Sequence, residues 1–400
     1  MTRGRGRNLR HQLPAWSPLS LRALARASAG PFSAACVSTA RTQITRDFRA
    51  DEVLLTDSGR SALQVAIEIA APTPSDVVAL PAFQCFEVAT AAVGAGRRIV
   101  LYDVVPDTLA PDLDSLRRAL RAGASAVVVA PFYGVPVAWD PVSTLIEEAG
   151  AVAIEDAAQA HGAAWRDAPV GSLASVSVLS FGRGKGWTGG GGGALCVRRD
   201  RALLERARCA ADRLGSARIS NEARTLARAV AQWSVGRPRL YGIPARMPGL
   251  GLGETRYHEP APPAAMAAVT AALIVATRAA AGLEAMMRRE NAERWRRDLR
   301  GSAHLMLPGP PPAGIGGYIR LPALLRDDTR MAPENLRHAG LMRSYPATLY
   351  DLPALRPLIT ATGTRFPGSQ ALVRRLVTLP THSHVTDRDR RAILDALASM

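Results

Sequence analysis

Residues 180–193 read SFGRGKGWTGGGGG, and Lys185 within them is the only lysine in a chain of 400 residues; every other member of the 50 Lys and Arg is arginine. A guanidinium stays charged, whereas an amine can lose its proton near neutral pH and attack a carbonyl to form a Schiff base. Composition alone leaves open that one lysine survived by drift. Its surroundings say more. The lysine follows the apolar run VSVLSF, precedes five consecutive glycines, where backbone can approach a flat ligand closely, and a second apolar run, ALCV, comes after them. A nucleotide phosphate loop is rejected, because that motif sets G-K-[ST] between a strand and a helix. Here Gly186 follows the lysine and a strand follows the glycines.

Outward from this stretch, short apolar runs alternate with longer amphipathic ones from residue 51 to about 200. VLLT (53–56) leads into SGRSALQVAIEIAA, VVALP (77–81) into FEVATAAVGAG, RIVLYDV (98–104) into LDSLRRALRAG, and SAVVVAPF (125–132) into PVSTLIEEAG; AVAIED (151–156) closes the series. The alternation predicts parallel strands joined by crossover helices. The strands lack polar alternation, as expected where helices cover both faces of a sheet. Beyond residue 200 the pattern predicts long helices to about 235 and a Pro/Gly-rich linker over 236–253. A helical pair over about 262–299 follows, then two short strands (HLMLP and GGYIRLPAL) and two terminal helices. The chain thus divides into an Arg-rich arm (1–50), a large α/β domain (51–245) and a small α+β domain (246–400).

Net charge is +16, and the first 46 residues contribute eight arginines and no acid. Such a start suits a nucleic-acid arm, an organellar transit peptide or the arginine usage of a GC-rich genome. Arginine replaces lysine throughout, which favours the last, and RGRGR (3–7) is read as a disordered arm that binds no nucleic acid. Cys36, Cys85, Cys196 and Cys209 form no C-x-x-C pair, which argues against a zinc ribbon or a disulfide scaffold and fits a reducing cytoplasm. No signal-peptide order of charged, apolar and cleavage regions is visible at the start. The uncharged stretch 260–277 is expected to be a buried helix and not a membrane span.

Two further segments carry chemistry. IEDAAQAHG (154–162) puts Asp156 and Gln159 just past the carboxyl end of a buried strand, where open α/β sheets bind ligands. A pyridoxal phosphate site needs a carboxylate against the ring nitrogen, since the protonated ring is the electron sink; an ordinary helix N-cap is the plain alternative for Asp156. TDSGRSAL (56–63) turns from strand to helix, so the N–H groups of Gly59, Arg60 and Ser61 offer a phosphate site favoured by the helix dipole. An ordinary N-cap explains that motif equally well. Ser180 offers a hydroxyl to the same phosphate. His161 is read as a packing residue, and HSH (382–384) as a loop without a third metal ligand.

Taken in order, SGRSAL, LPAFQCFEVATAAVGAG, YGVPVAWDP, EDAAQAHGA and SFGRGKGWTGGGGGAL resemble the DegT/StrS family of PLP-dependent sugar aminotransferases. RRENAERWRRDL and LVTLPTHSHVTDRDRRAILDAL are similar to its C-terminal domain. The resemblance implies the fold-type I architecture, a mainly parallel sheet with helices on both faces plus the small domain, working as a homodimer. It implies pyridoxal 5′-phosphate as cofactor, Lys185 as the residue that bonds it, Asp156 on the pyridine nitrogen and Gln159 on the ring hydroxyl oxygen. Gly59, Arg60 and Ser180 match the phosphate cradle, and Tyr345 in SYP (344–346) matches a small-domain loop near the acceptor. The reaction implied is ping-pong, from glutamate or glutamine to a nucleotide-linked keto-sugar, in glycan (polysaccharide) or natural-product biosynthesis. Three positions depart from the family pattern. Gly191 stands where a glutamate is usual, and Cys85 stands where an aromatic stacks on the cofactor, leaving Phe86 as its neighbouring substitute. The Asn-Tyr-Arg-Met interface segment is not recognisable in TRYHEPAPPAAMAA (255–268). Alternatives are a PLP-dependent sugar dehydratase, where family members commonly carry histidine at the lysine position, and a non-catalytic binding or regulatory protein on the same scaffold.

Overall fold

The strand–helix alternation builds one sheet, as its apolar runs require. The computed structural model describes residues 11–28, 34–215, 219–245, 255–327, 334–360 and 365–398. Helices α1 (Leu21–Ser28) and α2 (Ala34–Asp47) come first. Then follow β1 (Glu52–Thr56), α3 (Gly59–Ala70), β2 (Val77–Pro81), α4 (Phe86–Ala95), β3 (Arg98–Tyr102) and α5 (Leu113–Arg121). The sequence continues through β4 (Ala124–Val129), α6 (Trp139–Glu148), β5 (Val152–Asp156), the hairpin β6 (Ala164–Trp165) and β7 (Ala168–Pro169), β8 (Val176–Ser180) and β9 (Gly193–Val197). The seven central strands take the order β1-β9-β8-β5-β4-β2-β3. Only β9 runs against the rest, pairing antiparallel with β1 and β8. Alternate residues of the strands pack on the two faces: Val78, Leu80, Ile99, Leu101, Ala126 and Val128 under α3 and α4, and Val77, Ala79, Val100, Tyr102, Val127 and Val129 against α5 and α6.

Helices α7 (Arg201–Arg213), α8 (Ile219–Val235) and α9 (Pro238–Ala245) lead to α10 (Ala268–Asp298), a single helix of 31 residues where a helical pair was expected. No proline interrupts it, and its one central glycine, Gly282, has nothing within 4 Å of where a Cβ would lie. The helix is long and apolar enough to cross a membrane. In the fold, Val269, Leu273 and Ile274 are instead buried against α1, α2 and α8, so the buried-helix expectation holds for residues 268–277, while 260–267 are not helical. Part of the expected linker is helical as α9, and residues 246–253 of it lie outside the described residues.

The C-terminal part adds β10 (Leu305–Met306), β11 (Gly314–Ile315), β12 (Leu321–Leu325), β13 (Met342–Arg343), α11 (Pro367–Arg375), β14 (Leu376–Leu379) and α12 (Asp387–Ala398). Strands β10-β12-β14-β13 form a second, antiparallel sheet, while β11 joins the β6–β7 hairpin. Part of the Arg-rich arm, for which the sequence pattern predicts no element, is helical. Ala23, Leu24 and Ala27 of α1 are buried, with Arg22 and Arg26 on the outer face, and Ala40 and Ile44 anchor α2 in the core. The arginines had hidden an amphipathic helix. Residues 1–10, which include RGRGR, lie outside the described residues.

One buried acid fixes the geometry around the carboxyl end of β5. Glu155, fully buried, accepts hydrogen bonds from Gly171 N (2.8 Å), Leu173 N (3.0 Å) and Ser177 Oγ (3.0 Å). Burial pushes its carboxyl pKa up, and these donors together with the nearby Arg198 push it back down. Arg198 in turn donates to Gly171 O (2.9 Å) and Ser177 Oγ (2.9 Å). Glu155→Ala strands two backbone donors and a guanidinium, so it is expected to lower unfolding stability by about 3–5 kcal/mol in urea titration.

Candidate active site

The carboxyl ends of β1, β4, β5 and β8 converge on a cavity of about 560 Å³, the place where parallel sheets open. Asp57, Ser58, Gly59 and Arg60 enter it from the turn into α3; Asp156 and Gln159 enter after β5, and Ser180 and Lys185 after β8.

The wall at α3 is set by close backbone approach. A Cβ on Gly59 would lie 2.6 Å from Ser180 Cβ and 2.7 Å from Ser180 Oγ, so the two residues touch only because one is glycine. Gly192 N donates to Asp57 O (3.1 Å), and a Cβ on Gly193 would fall 2.4 Å from Ser58 O. Gly189 is pressed against Thr270 and Ile274 of α10, and Gly190, at φ +75°, against Ala229 of α8. Most of the glycine run therefore serves close protein contact, where a ligand contact was expected. Gly191 and Gly192 alone of the five line the cavity, and Gly191 has nothing within 4 Å of a built Cβ.

Ser61 takes no part in the cavity wall. Ser58 caps α3, its Oγ accepting from Ser61 N at 3.1 Å, so that amide is already used and the Ser61 side chain is buried. The N-cap explanation holds for Ser61, while Gly59 and Arg60 remain at the wall. Arg60 also pairs with Glu87 at 3.2 Å.

Asp156 and Lys185 face the same cavity. Asp156 Oδ1 accepts from Ala158 N at 3.2 Å; desolvation raises its pKa, and the charge of Lys185 and that N–H lower it. Strand alternation splits the adjacent acids, sending Glu155 into the core and Asp156 to the cavity. Cys85, at the N-cap of α4, does line the wall. Phe86 does not: as the first residue of α4 it points into the core beneath α3, 5% exposed, and cannot replace an aromatic at position 85. His258, from the segment where the interface motif is missing, lines the cavity, and its carbonyl accepts from Thr90 Oγ1 at 2.8 Å.

Gln159 spends its amide inside the protein. Its Nε2 donates to Tyr345 Oη (2.7 Å) and its Oε1 accepts from Tyr133 N (3.1 Å). Tyr133 sits at φ 56°, the left-handed region that a non-glycine residue adopts only when its surroundings hold it there. Tyr345 is buried against Phe83 and Tyr133 and forms no part of the cavity wall, so it acts on the site through Gln159. Residues that sequence reasoning passed over are the network around Gln159 and Glu155; the acid pair ED at a strand end was the available signal for the second.

His161 and His382 pack within the protein and do not line the cavity. His161 packs on Trp187 with ring centroids 5.6 Å apart. His382 is fully buried, with Nε2 3.0 Å from Leu13 O, and burial lowers its pKa to about 3. No His/Cys/Asp/Glu cluster able to hold a metal occurs among the described residues.

These residues fit pyridoxal 5′-phosphate. A cradle that any Cβ at Gly59 would fill sits at a helix N-terminus, the amine of Lys185 lies within the same walls, and Asp156 offers its carboxylate there. Fold and site together give an α/β scaffold that sets a lysine, a carboxylate and an anion cradle in one cavity. The chain belongs to the DegT/DnrJ/EryC1/StrS aminotransferase family, whose sequence profile matches residues 42–398. The L-glutamine:2-deoxy-scyllo-inosose aminotransferase of Streptomyces paromomycinus is 34% identical over 141 residues, 35% of this chain and 33% of that protein. The alignments cover about a third of the length of these curated relatives. Among solved structures, sugar aminotransferase CalS13 from Micromonospora echinospora superposes with TM-score 0.73 at 21% identity, covering 96% of this chain and 98% of that one. 3-Amino-5-hydroxybenzoic acid synthase superposes with TM-score 0.75 at 20% identity, covering 98% of each chain. At these identities the likeness is one of fold.

Gly59→Ala forces Ser180 away and is expected to weaken pyridoxal phosphate binding by on the order of tenfold or more, while Gly282→Ala, on α10 away from the cavity wall with nothing within 4 Å, leaves affinity unchanged; cofactor titration followed by protein fluorescence separates the two. His382 is neutral in the fold and protonates on unfolding below its ordinary 6.5. The unfolded state therefore binds more protons as pH falls from about 6.5 toward 3, and stability drops over that window. Urea midpoints at pH 7 and pH 5 should differ less in His382→Gln than in the parent chain.

Proposed function

We propose that the protein is a pyridoxal-phosphate-dependent aminotransferase that carries an amino group from glutamine or glutamate to the ketone of a sugar-like acceptor. The observation that carries this reading is the placement of the only lysine in one cavity with Asp156 and the Gly59–Ser180 cradle. When bound, the cofactor supplies an electron sink that makes the carbon bearing the transferred nitrogen acidic. Gly59, Arg60 and Ser180 bind its phosphate at the positive end of α3. Asp156 holds a proton on the ring nitrogen, and its partial desolvation strengthens that interaction. Lys185 would hold the cofactor through Nζ, and its amine would serve as the acid–base group that moves the substrate proton. Gln159, fixed by Tyr133 and Tyr345, would offer the remaining hydrogen on Nε2 to the ring hydroxyl oxygen.

The curated relatives named for glutamine and 2-deoxy-scyllo-inosose support glutamine as donor. A nucleotide-linked keto-sugar acceptor, a place in glycan or natural-product biosynthesis, a homodimer and a cytoplasmic setting belong to the same proposal. Lysine at position 185 disfavours the dehydratase alternative.

Borohydride reduction of cofactor-loaded protein is expected to fix a pyridoxyl label on Lys185 alone, and glutamine should bleach the visible band before reduction. Lys185→Ala should take no label. Asp156→Asn should keep the label and lose turnover by on the order of a hundredfold to a thousandfold. Protein that stays colourless with added cofactor overturns the proposal and supports a binding protein on this scaffold.

A further inference from the structure

The first 50 residues supply nothing to the chemistry above, yet part of them lies on the loop that carries Lys185. Ser17 Oγ donates to the carbonyl of Lys185 itself at 2.9 Å. The next carbonyl, Gly186 O, lies 3.5 Å from Nη1 of Arg288, a fully buried arginine of α10 whose Nη2 donates to Trp16 O at 2.5 Å. Two successive carbonyls at the lysine are thus tied to two successive residues of the N-terminal segment, one directly and one through a shared guanidinium. The loop is held from beneath as well. A Cβ on Gly186 would lie 2.6 Å from His161 Cβ and 3.0 Å from Arg288 Nη1.

The segment is fastened at its other contacts to the C-terminal part. Gln12 Nε2 donates to His384 O (2.7 Å) and Asp389 Oδ2 (2.9 Å), His382 Nε2 lies 3.0 Å from Leu13 O, and the Trp16 ring meets His384 at 4.6 Å. Glu284, 3.7 Å from Arg288 Nε, also accepts from Ser383 N at 3.0 Å. A buried guanidinium is costly unless its donors are met, and without Trp16 O Arg288 loses its shortest contact. Residues 12–17, Arg288 and the lysine loop therefore hold or loosen together.

We propose that residues 12–17 form a strap that sets the position of Lys185 for bonding the cofactor, with Ser17 and Arg288 as positioning residues. The assignment rests on the aminotransferase reading for its purpose and on the contacts above for its geometry. A lysine whose main chain is pinned on the carbonyl side presents its amine from a fixed point, which is what attack on a bound aldehyde needs. A purely stabilising arm would affect everything in proportion to unfolding; a strap affects the lysine loop first.

Ser17→Ala, Arg288→Lys and Arg288→Gln separate these cases in the full chain. Hydrogen–deuterium exchange across residues 181–191 is expected to quicken in Ser17→Ala with the melting temperature little changed. The rate of borohydride-fixable labelling of Lys185 should fall about fivefold or more for the loss of one hydrogen bond, while total pyridoxal phosphate retained before reduction stays the same. Arg288→Lys should keep more of the labelling rate than Arg288→Gln. Exchange and labelling at parental rates in Ser17→Ala overturn the strap, as does a loss that tracks melting temperature across all three variants. If the parent chain takes no label, the aminotransferase reading falls, and the exchange experiment alone decides whether the segment restrains the loop.

Discussion

The site depends on one seam between two stretches of main chain. Gly192 N donates to Asp57 O, and Gly193 passes so close beneath Ser58 that a methyl group would meet its carbonyl. That seam joins the turn into α3, where an anion can be held, to the loop that follows β8, where the amine is. Antiparallel pairing of β9 with both β1 and β8 sets it up, since β9 starts where the other two end. Side chains at the glycines would force the strands apart, and the anion cradle would separate from Lys185.

Desolvation does the remaining work on two adjacent acids. Glu155 is fully buried and tolerable because three donors and Arg198 satisfy it; Asp156, one residue on, is half-buried and faces an amine. One strand position separates a carboxylate that keeps the hairpin in place from one that can act on a ligand. The structural acid sets where the other points.

Much of this was visible in the sequence. Apolar runs such as VVALP and SAVVVAPF admit only buried strands, and the position of Asp156 at the end of one follows directly. The solitary lysine and the glycine run mark the loop without any structure. What could not be read is direction. Whether Phe86 or Cys85 faces the cavity is decided by the first turn of α4, and whether Ser61 N is spare is decided by Ser58. The same limit applies to Gln159, whose amide is committed to Tyr133 and Tyr345, partners 26 and 186 residues away. Helices α1 and α2 could not be read because arginines dominate the composition there, whereas burial of Ala23, Leu24 and Ile44 decides the fold. β14 was missed because LVTL lies wedged between two helices and is only four residues long.

The uninterrupted length of α10 has a mechanical meaning. At about 1.5 Å per residue it reaches some 45 Å, and its side chains grip the molecule at successive heights. Thr277 Oγ1 donates to Thr188 O near the lysine loop, Arg289 Nη1 to Gly162 O beyond Asp156, and Trp295 Nε1 to Pro380 O at the end of β14. A rigid beam clamped at three stations leaves no pivot between the cofactor-facing loops and the second sheet. One continuous helix thus ties the lysine loop, the turn beyond Asp156 and the end of β14 to a common support.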